Sequence, residues 1–146
     1  MNEFIGREIE LKNLNNMYNS DKFEMAVIYG RRRVGKTSLI KQFISNKPAI
    51  YVQGVEATAE TNLRFLSNAI LDFEEPGRVN KHKTFYDFAE AFEEVQDIAN
   101  NQNEKMIFVM DEYPYFAEAS AEISSILQYT IDHIYKEKNN IMLILC

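Results

Sequence analysis

Gly30-Arg31-Arg32-Arg33-Val34-Gly35-Lys36-Thr37 fits the pattern G-x-x-x-x-G-K-[ST] at every fixed position. Each residue type there has a chemical reason. Glycines let the backbone turn tightly, so that successive N–H groups point at one anion. A helix opening directly after the loop adds the positive end of its dipole. Lys36 then reaches the outer phosphates of a nucleoside triphosphate, the Thr37 hydroxyl ligates Mg²⁺, and Ser38 completes the cradle. Arg31, Arg32 and Arg33 read either as added positive potential over the phosphates or as a solvated basic patch on an exposed loop.

A phosphate cradle needs a carboxylate partner for the metal and, if it hydrolyses, for water. Met106-Ile107-Phe108-Val109-Met110-Asp111-Glu112 supplies both. Five apolar residues form a buried strand that carries Asp111 to the carboxyl edge of a sheet, where open parallel sheets bind ligands. Asp111 is expected to hold the Mg²⁺ shell through water, and Glu112 to orient and deprotonate the attacking water. Catalysis therefore falls to Glu112 and Lys36, and metal binding to Thr37 and Asp111. A carboxylate base beside the metal-binding Asp points to ATP rather than GTP. Asn46-Lys47-Pro48-Ala49 begins like a guanine-reading N-K-x-D, but Ala49 replaces the Asp.

The elements that must position these groups are visible as alternating patterns. Arg7 to Asn19 reads as a helix with Leu11, Leu14 and Tyr18 on one face. Met25 to Tyr29 is a buried strand, and Lys36 to Ser45 a helix. Ala49 to Gln53 is a second strand. Thr58 caps a helix running to about Glu74, and Glu75-Pro76-Gly77 ends it. Thr84 and Asp87 resemble a capping box for a helix carrying Phe85, Phe88, Phe92 and Val95. Met106 to Met110 is the third strand, Ala119 to Lys138 a continuous helix, and Ile141 to Cys146 the fourth strand. Strands alternating with helices predict an α/β fold with a mostly parallel sheet covered on both faces.

The chain has 146 residues, enough for one ordinary domain. Its composition, 46% hydrophobic and 26% charged, is that of a globular domain rather than a disordered one. A net charge of −6 argues against a dedicated binder of nucleic acid or of anionic membranes. No apolar run reaches the ~20 residues that span a bilayer, and Met1 to Glu10 has no signal-peptide core. The single cysteine, Cys146, forms no internal disulfide. A cytoplasmic location is expected, with any metal arriving alongside a ligand.

Phe4-Ile5-Gly6-Arg7-Glu8 precedes the first helix and resembles the F-[IV]-G-R-E box of AAA+ and STAND ATPases. With the arginine-rich phosphate loop and the Asp111-Glu112-Tyr113 strand end, the chain resembles the prokaryotic, mainly archaeal, ATPase family of that group over nearly its whole length. The resemblance implies an ATP-binding and ATP-hydrolysing P-loop core in a three-layer α/β/α sandwich, with adenine near Phe4, Ile5 and Gly6. It implies strand order 5-1-4-3-2, so the four strands here follow 2-3-4-1, with Ala49–Gln53 beside Met106–Met110. Gln53 then reads as an ordinary strand-end residue or as a hydrogen-bond partner of Glu112. Family members continue into a sensor residue, a fifth strand and a lid. The chain is accordingly expected to be an N-terminal piece of a longer ATPase, with weak turnover on its own. The bare edge of Met25–Tyr29 is expected to support self-association.

Two rivals remain. One is a non-catalytic switch in which ATP or ADP sets conformation. The other is a small-molecule P-loop kinase, disfavoured because Tyr113 to Lys138 lacks the arginines of a kinase lid. His82 and His133 have no ligand spacing, and Tyr113, Pro114, Tyr115 and Phe116 read as a loop near the site.

Overall fold

Runs of Ile, Val, Met and Phe as dense as Met106–Met110 are stable only with both faces covered. The computed structural model describes residues 2–29, 35–77 and 83–146, and of residues 2–7 the backbone only. In it β3 (Met106–Asp111) is buried at every position and lies inside a four-stranded parallel sheet. Its neighbours are β4 (Ile141–Leu145) and β2 (Ala49–Gln53), and β1 (Glu24–Val27) pairs with the far side of β4. The order β1-β4-β3-β2 is the one expected.

Period-two alternation divides the strand side chains between two cores. Met106, Phe108 and Met110, with Ile141 and Leu143, pack under α3 (Ala59–Glu74), α4 (Phe88–Asn100), α5 (Tyr113–Ala119) and α6 (Ala121–Thr130). Ile107 and Val109, with Met142 and Ile144, pack on the other face under α1 (Asn2–Tyr18) and α2 (Lys36–Ile44), through Leu14, Leu39, Ile40 and Phe43. This is a three-layer α/β/α sandwich of the P-loop type. The edge opposite the strands' carboxyl ends is stitched by Lys105, whose Nζ donates to the Lys22 carbonyl at 2.6 Å, and by the Tyr18 hydroxyl on the Lys105 carbonyl at 2.7 Å.

Several boundaries differ from the sequence reading. The first helix begins at Asn2 rather than Arg7, so Phe4, Ile5 and Gly6 lie within it instead of before it. One glycine costs a helix only about 1 kcal/mol and does not stop it. The strand at Met25–Tyr29 is Glu24–Val27, and Tyr29 is 85% exposed. The predicted cap at Thr84 moves three residues on: Asp87 accepts the Glu90 N–H at 2.9 Å, while Glu90 accepts the Tyr86 N–H at 3.0 Å. The Thr58 cap is as expected, accepting from Thr61 N–H at 3.1 Å.

The supposed loop at Tyr113–Phe116 is helix α5, opened by Pro114 in its first turn. The single helix predicted over 119–138 is broken at Ser120, which caps α6, and again by a π-helical turn at Ile131–Tyr135 before α7 (Lys136–Lys138). Within that turn, fully buried Tyr135 donates its hydroxyl to the Phe92 carbonyl at 2.7 Å, a tertiary bond to which helical periodicity is blind.

Candidate functional site

The C-terminal ends of the parallel strands and the start of α2 meet at one edge. Gly35 stands before α2 with φ +81°, a conformation that L side chains disfavour, and its carbonyl accepts the Leu39 N–H at 2.9 Å. The sharp turn into the helix thus explains the second glycine of the motif. The first N–H groups of any helix have no intrahelical partner, so α2 directs donors and its dipole toward the strand ends. Lys36 and Thr37 are half-buried there, and Ser38 is exposed. Gly30, Arg31, Arg32, Arg33 and Val34 lie outside the described residues, and of Phe4, Ile5 and Gly6 only the backbone is described. His82 also lies outside.

Asp111 ends β3, 1% exposed, and collects donors from four parts of the chain. The Thr37 hydroxyl donates to Oδ2 at 2.9 Å, across a sequence separation of 74 residues. The Tyr51 hydroxyl, from the middle of β2, donates to the same oxygen. Oδ1 accepts the Glu112 N–H at 2.9 Å, and the Cys146 thiol also bonds the carboxylate. Burial pushes the Asp111 carboxyl up, but the bonds from Tyr51, Thr37, Cys146 and Glu112 outweigh it and hold it below the usual aspartate range. In the other direction, burial and then the Asp111 bond raise the Tyr51 hydroxyl well above its ordinary value and push the Cys146 thiol up to about 12. The outcome is a buried anion served by uncharged donors.

Glu112 follows with φ 53° and ψ 43°, left-handed backbone that is uncommon for a residue with a Cβ. Its conformation turns the chain out of β3 and into α5. The Tyr113 N–H donates to the Cys146 carbonyl at 2.8 Å, which ties this turn to the end of β4. Glu112 and Lys36 line one cavity of about 420 Å³, together with Tyr29, Pro114 and Cys146.

Lys36, Thr37, Asp111 and Glu112 are therefore brought together by the fold. Gln53 is exposed and pairs in register with Asp111 through the backbone. Two participants escaped the sequence reading. Tyr51 reads as an ordinary residue of the second strand, and Cys146 as the last residue of the fourth strand with no disulfide to form. A signal for Tyr51 was present, since residues 51 and 53 share a face with 109 and 111 once β2 is paired with β3, and diagonal partners reach each other with long side chains.

The donor set suits a hard cation. A hydroxyl and a carboxylate, with further oxygens left to the ligand, is how Mg²⁺ is commonly held beside phosphates. Among the described residues no three His, Cys, Asp or Glu side chains converge on a metal position, so phosphate oxygens and waters would complete the shell.

A profile of ATPase domains predominantly from Archaea matches residues 4–146. An uncharacterized protein of Methanocaldococcus jannaschii is 30% identical over 142 residues, covering 97% of this chain and 29% of that protein. An uncharacterized ATP-binding protein of the same organism is 50% identical over 44 residues, 30% of this chain and 75% of that protein. This chain thus spans under a third of the first relative's length.

Proposed function

This chain belongs to the family of ATPase domains found predominantly in Archaea, and on that premise we propose that it binds ATP with Mg²⁺ and hydrolyses the β–γ bond. One observation carries the reading: the Thr37 hydroxyl reaches the Asp111 carboxylate at 2.9 Å, joining the end of the phosphate motif to the end of β3. Gly30 to Ser38 would cradle the phosphates, with Lys36 on the β and γ groups. Thr37 and Asp111 would hold Mg²⁺, which when bound neutralises charge on the phosphate oxygens. Glu112 takes a proton from water as the water oxygen attacks the γ-phosphorus; the bond to the β-phosphate oxygen breaks, and ADP and inorganic phosphate leave. Placement of adenine near Phe4, Ile5 and Gly6, membership of the AAA+/STAND group, a cytoplasmic setting and a motor or switch role in a longer protein belong to the same proposal. So does self-association along β1, where Met25 and Val27 are 42% and 43% exposed. Among the described residues no helix is long and apolar enough to cross a membrane.

A nucleotide-dependent switch with slow turnover is the second reading. Arg64 is the one arginine among the described side chains, and it stands 5.7 Å from the Phe65 ring on α3. An arginine in trans would supply the charge for the transition state.

Calorimetric titration with ATP·Mg²⁺ tests the reading, with Lys36→Ala as the paired variant. Loss of a charge-assisted hydrogen bond costs about 1.5–3 kcal/mol, so the variant should bind at least tenfold more weakly at an unchanged melting temperature. Equal affinity in parent and variant would sink the phosphate-loop assignment.

A further inference from the structure

Gly54 directly follows β2, is buried, and donates its N–H to the Asp111 carbonyl at 2.8 Å. A Cβ built on it would lie 2.7 Å from the Glu112 carbonyl oxygen and 2.9 Å from two ring carbons of Phe116. The first neighbour is backbone, at a separation that real Cβ atoms essentially never show. Glu112 is also the residue with left-handed backbone, at φ 53°. Its N–H is held by the Asp111 carboxylate at 2.9 Å, and its carbonyl accepts the Tyr115 N–H at 3.1 Å and faces Gly54. Non-glycine residues keep such conformations only where their surroundings over-determine them.

We propose that Gly54 is the positioning residue of Glu112: the space left by its missing side chain receives the Glu112 carbonyl and fixes the left-handed turn that aims the carboxylate. This rests on the reading of Glu112 as the base for water. The end of β2 therefore governs the second acid through backbone contact, one residue beyond Gln53. A methyl group at position 54 has two exits. Either Glu112 and α5 move, or β2 slides against β3. The second breaks the ladder between Gly54 and Asp111, so the first is the lower-energy response.

The test uses Gly54→Ala, scored by ATP·Mg²⁺ titration, steady-state hydrolysis and urea unfolding. Affinity and KM should stay within about twofold of the parent, and kcat should fall at least tenfold. This split between KM and kcat is one that general loosening of the fold would not produce. Unfolding supplies a readout that needs no turnover, with Glu112→Gly as the second background. A glycine at 112 can leave φ +53° freely, so the fall in urea midpoint caused by Gly54→Ala should be at least halved there. Phe116→Leu, which trims the ring but leaves the carbonyl, should not restore kcat. Full activity in a folded Gly54→Ala protein would overturn the proposal, as would rescue by Phe116→Leu or an equal midpoint loss in both backgrounds. A parent that binds ATP without turning it over would overturn the hydrolytic reading, while the midpoint comparison would still decide the role of Gly54. If Gly54→Ala alone fails to fold, recovery of folding in the Glu112→Gly background supports the proposal, and failure there too overturns it.

Discussion

Tyr51→Phe removes one oxygen and leaves the ring, so it isolates the hydroxyl that donates to Asp111. The carboxylate losing this donor is 1% exposed, which keeps water from taking the vacant position readily. A hydrogen bond to a charged group contributes about 1.5–3 kcal/mol net, against about 1 kcal/mol between neutral groups. Thr37 and the Glu112 N–H remain, each at 2.9 Å, so Asp111 stays ionised and the expected loss is the middle of that range, about 2 kcal/mol. In an Asp111→Asn background the same change removes only a neutral bond and should cost about 1 kcal/mol. The coupling read by a four-protein cycle of urea unfolding is the difference, about 1 kcal/mol, whereas independent sites add to within about 0.5 kcal/mol. A coupling below that limit would show that Tyr51 acts through packing alone.

The same bond carries a pH signature. The folded-state carboxyl of Asp111 is depressed, so its stabilisation is complete above the unfolded aspartate value of about 4. It is lost as pH falls through the lower folded value. The Tyr51→Phe deficit should therefore be full at pH 7 and shrink below about pH 4. A deficit of one size across both limbs of the stability curve would refute a charge-assisted bond.

Two further outcomes are expected. Glu112→Gln keeps the shape of the side chain but removes the base, so hydrolysis should fall by about 10²–10⁴-fold; ATP·Mg²⁺ affinity by calorimetry should be unchanged, and undiminished turnover would remove Glu112 from the mechanism. Asn62→Ala should cost about 3 kcal/mol in urea unfolding, because this fully buried amide accepts the Val55 N–H at 2.9 Å and donates to the Val55 and Thr58 carbonyls at 3.1 and 3.0 Å. A loss under about 1 kcal/mol would mean that water reaches those groups.

Much of this fold was legible because its strands are short apolar runs and its helices carry stripes. Ala49–Gln53 was placed to the residue, as was the Thr58 cap, since both signals are local. Motif spacing likewise placed Lys36, Thr37, Asp111 and Glu112 at one edge. What escaped depends on contacts between distant segments. The π-helical turn at Ile131–Tyr135 accompanies a hydrogen bond to Phe92, 43 residues away in sequence, and the helical stripe of Ile123, Leu127 and Ile131 runs into it unchanged. The cap at Asp87 was misread because Thr84 and Asp87 show the same spacing as Asp87 and Glu90, and only the second pair stands at the first helical turn.

The handling of the two acids follows from strand order more than from local sequence. β3 is an inner strand, so whatever leaves its carboxyl end lies between the ends of β4 and β2. On the β4 side, Cys146 bonds the Asp111 carboxylate, and its carbonyl holds the Tyr113 N–H. On the β2 side, Tyr51 bonds Asp111, and Gly54 closes on the Glu112 carbonyl. Asp111 points to the α2 face with Val109 and Ile107, where Thr37 waits. Glu112 would fall on the opposite face if the strand continued by its period of two. The left-handed turn cancels that alternation and lets Glu112 line the same cavity as Lys36. Adjacent acids on a regular strand cannot share one face, so a β3 that ran straight through residue 112 would separate the Asp111 carboxylate from that of Glu112.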